Sequence, residues 1–259
     1  MAILHNTLFL HGGPGLHCAV EREWFGDTLP ILWWNQPASV AGDPTPFRTL
    51  LTHAGHQLEA MAESSGGQVN LIAHSFGGQI AVVLARECPQ LIRSITLLGC
   101  PHNLLHAFFL FARRLLKAGY ERPGLREALA AVEEHCDDNR FFALIGACYP
   151  DSAIPGIYFG SGSAEARDRY FAMAAKTPPV DMATFFAVMQ EFIHTPNSIQ
   201  PAEYGGDVEI IMGRDDPVLD LDADRKKWLE VFPQAEFKLV DAGHFVHLEL
   251  PPNVWFSVS

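Results

Sequence analysis

Residues 70–78, Asn-Leu-Ile-Ala-His-Ser-Phe-Gly-Gly, decide the fold that the sequence predicts. The apolar residues at the start of this stretch are typical of a buried strand, and those after it of a buried helix, so Ser75 falls in a sharp strand–turn–helix connection. Such a turn strains its central residue and needs small neighbours two positions away, which Ala73 and Gly77 provide. A serine presented at the tip of such a turn can be activated by a base. The stretch therefore predicts a nucleophilic serine; the alternative is an ordinary turn whose serine has no role.

The composition is that of an acidic globular protein. With 259 residues, 48% apolar and 19% charged, the chain can bury a large core as one domain, with or without an insertion. The 30 Asp and Glu outnumber the 18 Lys and Arg, and the net charge of -12 repels nucleic acid and anionic membranes, so we expect neither nucleic-acid binding nor membrane insertion. The five cysteines are widely spaced and form no C-x-x-C pair. We therefore expect reduced thiols, no metal site and, without a signal-peptide pattern, a cytoplasmic location.

Strands alternate with helices on both sides of the serine turn, which predicts an α/β fold with a mostly parallel sheet of about six strands. Between residues 101 and 205 this alternation gives way to helical patterns only. We therefore predict a core of residues 1–101 and 206–259 and a helical lid of residues 102–205. The predicted strands are 7–11, 29–35, the one before Ser75, 94–98, 208–212 and 236–241; the predicted core helices are 47–63, the one after Gly78 and 221–232; the predicted lid helices are 104–119, 125–136, 163–176 and 181–194.

A nucleophilic serine needs a histidine base and an acid that orients the base. In a sheet of this kind both follow later strands, in the order serine, acid, histidine. The loop after the fifth predicted strand holds Asp215 and Asp216, and the loop after the sixth holds His244. His247 is the alternative to His244, and the two aspartates are alternatives to each other.

Four motifs in this order resemble the α/β-hydrolase superfamily: HGGPG at 11–15, AHSFGG at 73–78, GRDDPV at 213–218 and AGHFVHLELP at 242–251. The resemblance covers nearly the whole chain except the helical insertion. It implies an α/β-hydrolase fold, with Ser75 as nucleophile, His244 as general base and Asp216 as the orienting acid.

The resemblance also implies an oxyanion hole formed by the backbone N–H groups of Gly13 and Phe76, with Gly12 as the alternative to Gly13. It implies no metal and no organic cofactor.

Members of the superfamily usually have two further strands before the first strand seen here, and a longer closing helix than residues 252–259 allow. We therefore expect those N-terminal strands to be missing and one sheet edge to be open, so that a homodimer through this edge is a hypothesis.

Ten of the 18 phenylalanines lie in the predicted lid. If some of them face the serine, the pocket is apolar and suits an acyl chain or an aromatic group; the alternative is that they form the core of the helical layer. The candidate substrate-binding residues are Gly12, His74, Phe108, Phe185 and Phe245.

The sequence thus predicts a serine hydrolase that cleaves a small hydrophobic ester, thioester or activated carbonyl through an acyl-enzyme. The HGGPG loop also resembles that of proline iminopeptidases, but their Asp-Gln-Arg-Gly and Gly-Gly-Ser-Trp-Gly-Gly motifs are replaced here by NQPA at 35–38 and AHSFGG. Such an aminopeptidase would need a lid carboxylate for the substrate amine, from Glu133, Glu134 or Glu191. A C–C bond hydrolase with the same triad and a non-catalytic ligand-binding protein on this scaffold are two further hypotheses.

Overall fold

The computed structural model describes residues 5–38, 40–150, 154–195, 200 and 203–256. Within these residues lies a six-stranded sheet of order β2-β1-β3-β4-β5-β6, and every neighbouring pair is parallel. The predicted parallel sheet of six strands is confirmed. The strands are β1 Thr7–Leu10, β2 Ile31–Trp33, β3 Val69–His74, β4 Ile92–Leu98, β5 Asp207–Gly213 and β6 Glu236–Val240.

Strands β1 and β3 are buried along their whole length, as is expected of strands in a parallel sheet that is covered on both faces. Leu10 at the end of β1 lies beside Ala73 of β3, and His74 lies beside Leu98 at the end of β4. The carboxyl ends of these strands therefore meet at one edge of the sheet. The loops that carry the candidate site residues all leave from that edge.

Helices connect the strands and cover the sheet. Five of them, α4 to α8, lie between β4 and β5, within the range predicted to be a helical lid. Of the helices described, none is long and apolar enough to cross a membrane. The helices are α1 Ala19–Phe25, α2 Pro46–Ser65, α3 Gly77–Glu87, α4 Leu104–Lys117, α5 Leu125–Glu134, α6 Asp138–Cys148, α7 Ala164–Ala174, α8 Met182–His194, α9 Leu221–Val231 and the short α10 Val246–Glu249.

Three helices and one strand differ from the sequence predictions. The short helices α1 and α10 and the helix α6 are not among the predicted helices. Asp137 caps α6 by accepting a hydrogen bond from the backbone N–H of Arg140. Strand β2 is shorter than the predicted 29–35. Pro30 has no N–H to donate to a ladder, and the side chain of Asn35 turns to accept a hydrogen bond from the backbone of Cys18.

The core is continuous from the sheet into the helices. Trp228 of α9 is fully buried, and its indole N–H donates to the carbonyl oxygen of Cys100 at 2.7 Å. A Cβ at Gly78 would lie 2.8 Å from the Sγ atom of Cys100, so only glycine lets α3 pack this closely. This packing holds the amino end of α3, next to the serine turn, against the rest of the core.

Candidate active site

Ser75 lies in the turn between β3 and α3. Its φ of 52° is left-handed, and among the described residues it is the one non-glycine with positive φ. Its N–H donates to the carbonyl oxygen of Leu98 at 3.0 Å, which anchors the turn to the end of β4. A Cβ at Gly77 would lie 2.4 Å from the carbonyl oxygen of Leu10, so the close approach of β1 explains why this position must be glycine. The strained backbone of Ser75 is thus held in place by contacts of the turn with β4 on one side and β1 on the other.

His244 and Asp216 form a buried pair. The Nδ1 atom of His244 lies 2.8 Å from Oδ2 of Asp216, and the two residues are only 4% and 3% exposed. The second carboxylate oxygen, Oδ1, accepts a hydrogen bond from the backbone N–H of Val218 at 2.9 Å. A carboxylate bound in this way holds the proton on Nδ1, which leaves Nε2 of His244 free to accept a proton.

Gly99 makes room for this pair. It follows β4 with a φ of 55°, and a Cβ there would lie 3.1 Å from Oδ2 of Asp216 and 3.3 Å from Nδ1 of His244. The ends of β4, β5 and β6 therefore converge on the acid and the histidine.

The two alternative residues lie in other environments. Asp215 is exposed, and its Oδ2 accepts hydrogen bonds from the backbone N–H and the hydroxyl of Ser161, both at 2.8 Å. His247 is buried beside Glu21, with its Nε2 atom 3.2 Å from Oε1 of that residue. The structure thus brings Asp216 and His244 together, and it places Asp215 and His247 outside the pair.

The glycine loop after β1 packs directly on the serine turn. A Cβ at Gly12 would lie 2.9 Å from the Cβ of Ser75, and Gly13 has a φ of 43°. In the described part of the chain, the backbone N–H groups of Gly13 and Phe76 donate no hydrogen bond. Both residues line the cavity that contains Ser75.

His74 and Tyr158 hold the backbone of His244. The Nε2 atom of His74 lies 3.0 Å from the carbonyl oxygen of His244, and the N–H of His244 donates to the carbonyl oxygen of Tyr158 at 2.6 Å. Burial, together with the nearby rings of His247 and His244, lowers the pKa of His74 well below its usual 6.5. A neutral His74 can donate from Nε2, so it positions His244 as well as lining the cavity.

A cavity of about 80 Å³ opens beside Ser75 and His244. The five candidate substrate-binding residues from the sequence all line it, and so do Gly13 and Phe76. Phe111, by contrast, is fully buried against the rings of Tyr149 and Tyr158. The lid phenylalanines therefore divide between the cavity wall and the core of the helical layer. Further wall residues, which the sequence did not single out, are Pro14, Leu16, Leu104, Tyr149, Ile154, Tyr158, Val180, Met182, Met189 and Val218.

The carboxylates considered as amine ligands are used elsewhere. Glu133 bonds to Arg113, Glu134 lies 3.8 Å from Arg140, and Glu191 accepts a hydrogen bond from the backbone N–H of Phe47 at 2.6 Å. None of the three lines the cavity. Among the residues with described positions, no group of three or more His, Cys, Asp or Glu is arranged to hold a metal ion.

A family model described as the alpha/beta hydrolase fold matches residues 8–251. The chain therefore belongs to the α/β-hydrolase fold family. No curated protein sequence matches it significantly.

Solved structures share this fold over nearly the whole chain. A putative non-heme bromoperoxidase from Mycobacterium tuberculosis has a TM-score of 0.59 and 17% identity, over 96% of this chain and 88% of its own. A carboxylesterase from Nitrososphaera gargenis has a TM-score of 0.55 and 17% identity, over 96% and 86%. A proline iminopeptidase-related protein from Thermus thermophilus has a TM-score of 0.54 and 20% identity, over 97% and 87%. At these identities the similarity shows a common fold and leaves the substrate open.

Proposed function

We propose that this chain is a serine hydrolase that cleaves a small hydrophobic ester, thioester or activated carbonyl through an acyl-enzyme. One observation carries the proposal. Ser75, held with positive φ at the strand–helix turn, lines the same cavity as His244, whose Nδ1 atom is bound to the buried carboxylate of Asp216. A serine, a histidine and an aspartate in these roles are the requirements for nucleophilic acyl transfer.

The proposed reaction has two halves. The Oγ atom of Ser75 attacks the substrate carbonyl carbon, and Nε2 of His244 takes the hydroxyl proton. The negative oxygen of the tetrahedral intermediate accepts hydrogen bonds from the N–H groups of Gly13 and Phe76, each worth about 3 kcal/mol in such sites. His244 then gives its proton to the leaving group as the bond to the carbonyl carbon breaks.

The second half repeats this chemistry with water. His244 removes a proton from a water molecule, and the resulting oxygen attacks the acyl carbon. The acid is released when the proton returns to the oxygen of Ser75. The carboxylate of Asp216 stabilises the imidazolium that forms twice in the cycle.

The cavity supports a short, apolar acyl group. Its volume of about 80 Å³ is well below the roughly 300 Å³ at which drug-sized sites begin. Phe108 of α4 and Phe185 and Met189 of α8 form part of its wall. We propose that residues 102–205 act as the lid of the site, since helices from this range face the serine.

The test compares short p-nitrophenyl esters with amino-acid p-nitroanilides. We expect ester hydrolysis, and Ser75→Ala should lower kcat by about 10⁴-fold or more. Ser64→Ala changes an exposed serine at the end of α2 and serves as the matched control. Turnover of the anilides alone would favour an aminopeptidase. A fluorophosphonate that modifies Ser75 without turnover of either substrate would mean that the proposed substrate class is wrong.

A further inference from the structure

A second, larger cavity adjoins the one that contains Ser75. Its volume is about 360 Å³, and it lies between the loop after β1, helix α1 and the segment that follows α7. Its wall shares residues with the first cavity. The shared residues are Gly12, Leu16, His74, Ile154, Val180 and Phe245. The second cavity therefore borders directly on the one that contains Ser75.

Glu21 of α1 gives the second cavity a buried carboxylate. It lines the cavity and is only 6% exposed. Its Oε1 atom lies 3.2 Å from Nε2 of His247, whereas Oε2 is buried and has no hydrogen-bond partner among the described residues. A buried carboxylate oxygen without a donor is unfavourable, so a ligand that supplies a donor would be bound preferentially.

The histidines that line this cavity already donate hydrogen bonds to backbone carbonyl oxygens. The Nδ1 atom of His11 lies 2.7 Å from the carbonyl oxygen of Gly12, and Nε2 of His17 lies 2.8 Å from that of Pro178. His74 uses Nε2 on the carbonyl oxygen of His244. These histidine N–H groups are therefore not available to a ligand, whereas the aromatic rings of the wall suit a cation. The rings are those of Tyr170, Phe171 and Phe245.

We propose that the second cavity binds the protonated amine of a substrate whose scissile carbonyl lies at Ser75, with Glu21 as the anionic partner. The part that places the carbonyl at Ser75 rests on the proposed function; the binding of the amine does not. The net charge of -12 favours a cationic ligand in addition. The proposed substrates are therefore small esters or related acyl compounds that carry an ammonium group.

Isothermal titration with benzylamine, which is protonated at pH 7.5, and with neutral benzyl alcohol of the same shape tests the binding without any turnover. We expect benzylamine to bind about ten times more tightly to the unmodified protein, the effect of one charge-assisted hydrogen bond. In Glu21→Gln, which has the same shape but no charge, the preference should be lost. Glu23→Gln, an exposed position on the same helix, should keep it. Equal affinities for the two ligands, or a preference that survives in Glu21→Gln, would overturn the proposal.

A second measurement tests the link to the serine. Saturating benzylamine should slow fluorophosphonate labelling of Ser75 at least threefold, since the two cavities share a wall. Unchanged labelling with benzylamine bound would separate the amine from Ser75 and overturn the proposal. The comparison of the two ligands on the unmodified protein needs no variant, so it stands even if Glu21→Gln fails to fold. If no ester is hydrolysed but benzylamine still binds through Glu21, the proposed function fails and the amine subsite remains.

Discussion

Asp215 and Asp216 are adjacent in the chain and have opposite surroundings. Asp216 is buried and bonded through Oδ2 to Nδ1 of His244, whereas Asp215 is exposed and bonded to Ser161. Hydrogen bonds from Ser161 lower the pKa of Asp215, so it is ionised and already satisfied. At the scale of single residues, burial and one hydrogen bond distinguish the candidate catalytic acid from its neighbour.

This difference predicts unequal effects of the same substitution. Asp216→Asn should lower kcat for a p-nitrophenyl ester by about 10⁴-fold, because the amide no longer stabilises the imidazolium or the required tautomer. Asp215→Asn should leave kcat within about threefold, since its carboxylate is hydrogen-bonded to Ser161. Steady-state kinetics of both variants would show this. A larger loss in Asp215→Asn would mean that the acid has been assigned to the wrong residue.

The buried histidines make stability depend on pH. Burial lowers the pKa of both His74 and His11 below the usual 6.5, so the unfolded chain binds protons that the folded chain does not. The free energy of unfolding should therefore be highest above about pH 6.5 and fall as the pH decreases towards the folded pKa values, by at most about 1.4 kcal/mol per pH unit for each histidine. Urea denaturation at pH 7.5, 6.5 and 5.5 measures this.

The variant His74→Gln checks the attribution. Glutamine cannot take up the proton, so the loss of stability between pH 6.5 and 5.5 should become smaller. His56→Gln, an exposed position on α2, should keep the slope of the unmodified protein. Equal slopes in all three proteins would show that His74 is not among the groups responsible.

Two glycines in helices differ in how much space their surroundings leave for a side chain. Gly55 lies inside α2, and a Cβ there would come no closer than 3.7 Å to Leu84, which is an ordinary contact. Gly77 begins α3, where a Cβ would lie 2.4 Å from the carbonyl oxygen of Leu10. The backbone of β1 therefore leaves no space for a side chain at Gly77.

Alanine should therefore have opposite effects at these glycines. Gly55→Ala should raise the free energy of unfolding by about 0.5 to 1 kcal/mol, because alanine loses less backbone entropy in a helix. Gly77→Ala should lower it by about 2 kcal/mol or more through overpacking, and should reduce ester hydrolysis as well. Chemical denaturation gives both values. Wild-type stability in Gly77→Ala would show that β1 and α3 can move apart.

The sequence predicted those parts of the fold that depend on local patterns. The strand before Ser75, the glycines of the turn and the long helix α2 follow from apolar spacing and the need for small residues. The family resemblance favours Asp216 as the acid, whereas the residues alone do not distinguish it from Asp215. The contacts of Tyr158 with His244 and of Glu21 with His247 could not be predicted, since they join segments distant in sequence and carry no motif.

The helices between β4 and β5 are connected to the loop that carries Asp216. The guanidinium of Arg114 on α4 donates to the carbonyl oxygen of Asp216 at 2.5 Å. The helices between β4 and β5 therefore contact the site in two places: they form part of the cavity wall, and Arg114 bonds to the backbone of Asp216. That they open and close as a lid is still a prediction.

The two edge strands of the sheet, β2 and β6, are the strands through which two copies of the chain could pair. β2 is a three-residue edge strand, and β6 pairs with β5 alone among the described strands. An unpaired edge can join that of a second copy, so the homodimer remains a hypothesis. Sedimentation velocity should show a mass twice that of the 28.6 kDa chain. A monomeric mass at all concentrations would remove the hypothesis and leave the site as described.

If Ser75 carries the acyl group during turnover, the acyl-enzyme can be trapped and the acylated residue identified. A brief reaction with p-nitrophenyl acetate, quenched in acid and followed by peptide mass spectrometry, should find one acetyl group on the peptide that contains Ser75. No acetyl group should appear in Ser75→Ala. Release of p-nitrophenol with no acetylated peptide, or with the acetyl group on another residue, would contradict the assignment of Ser75 as the nucleophile.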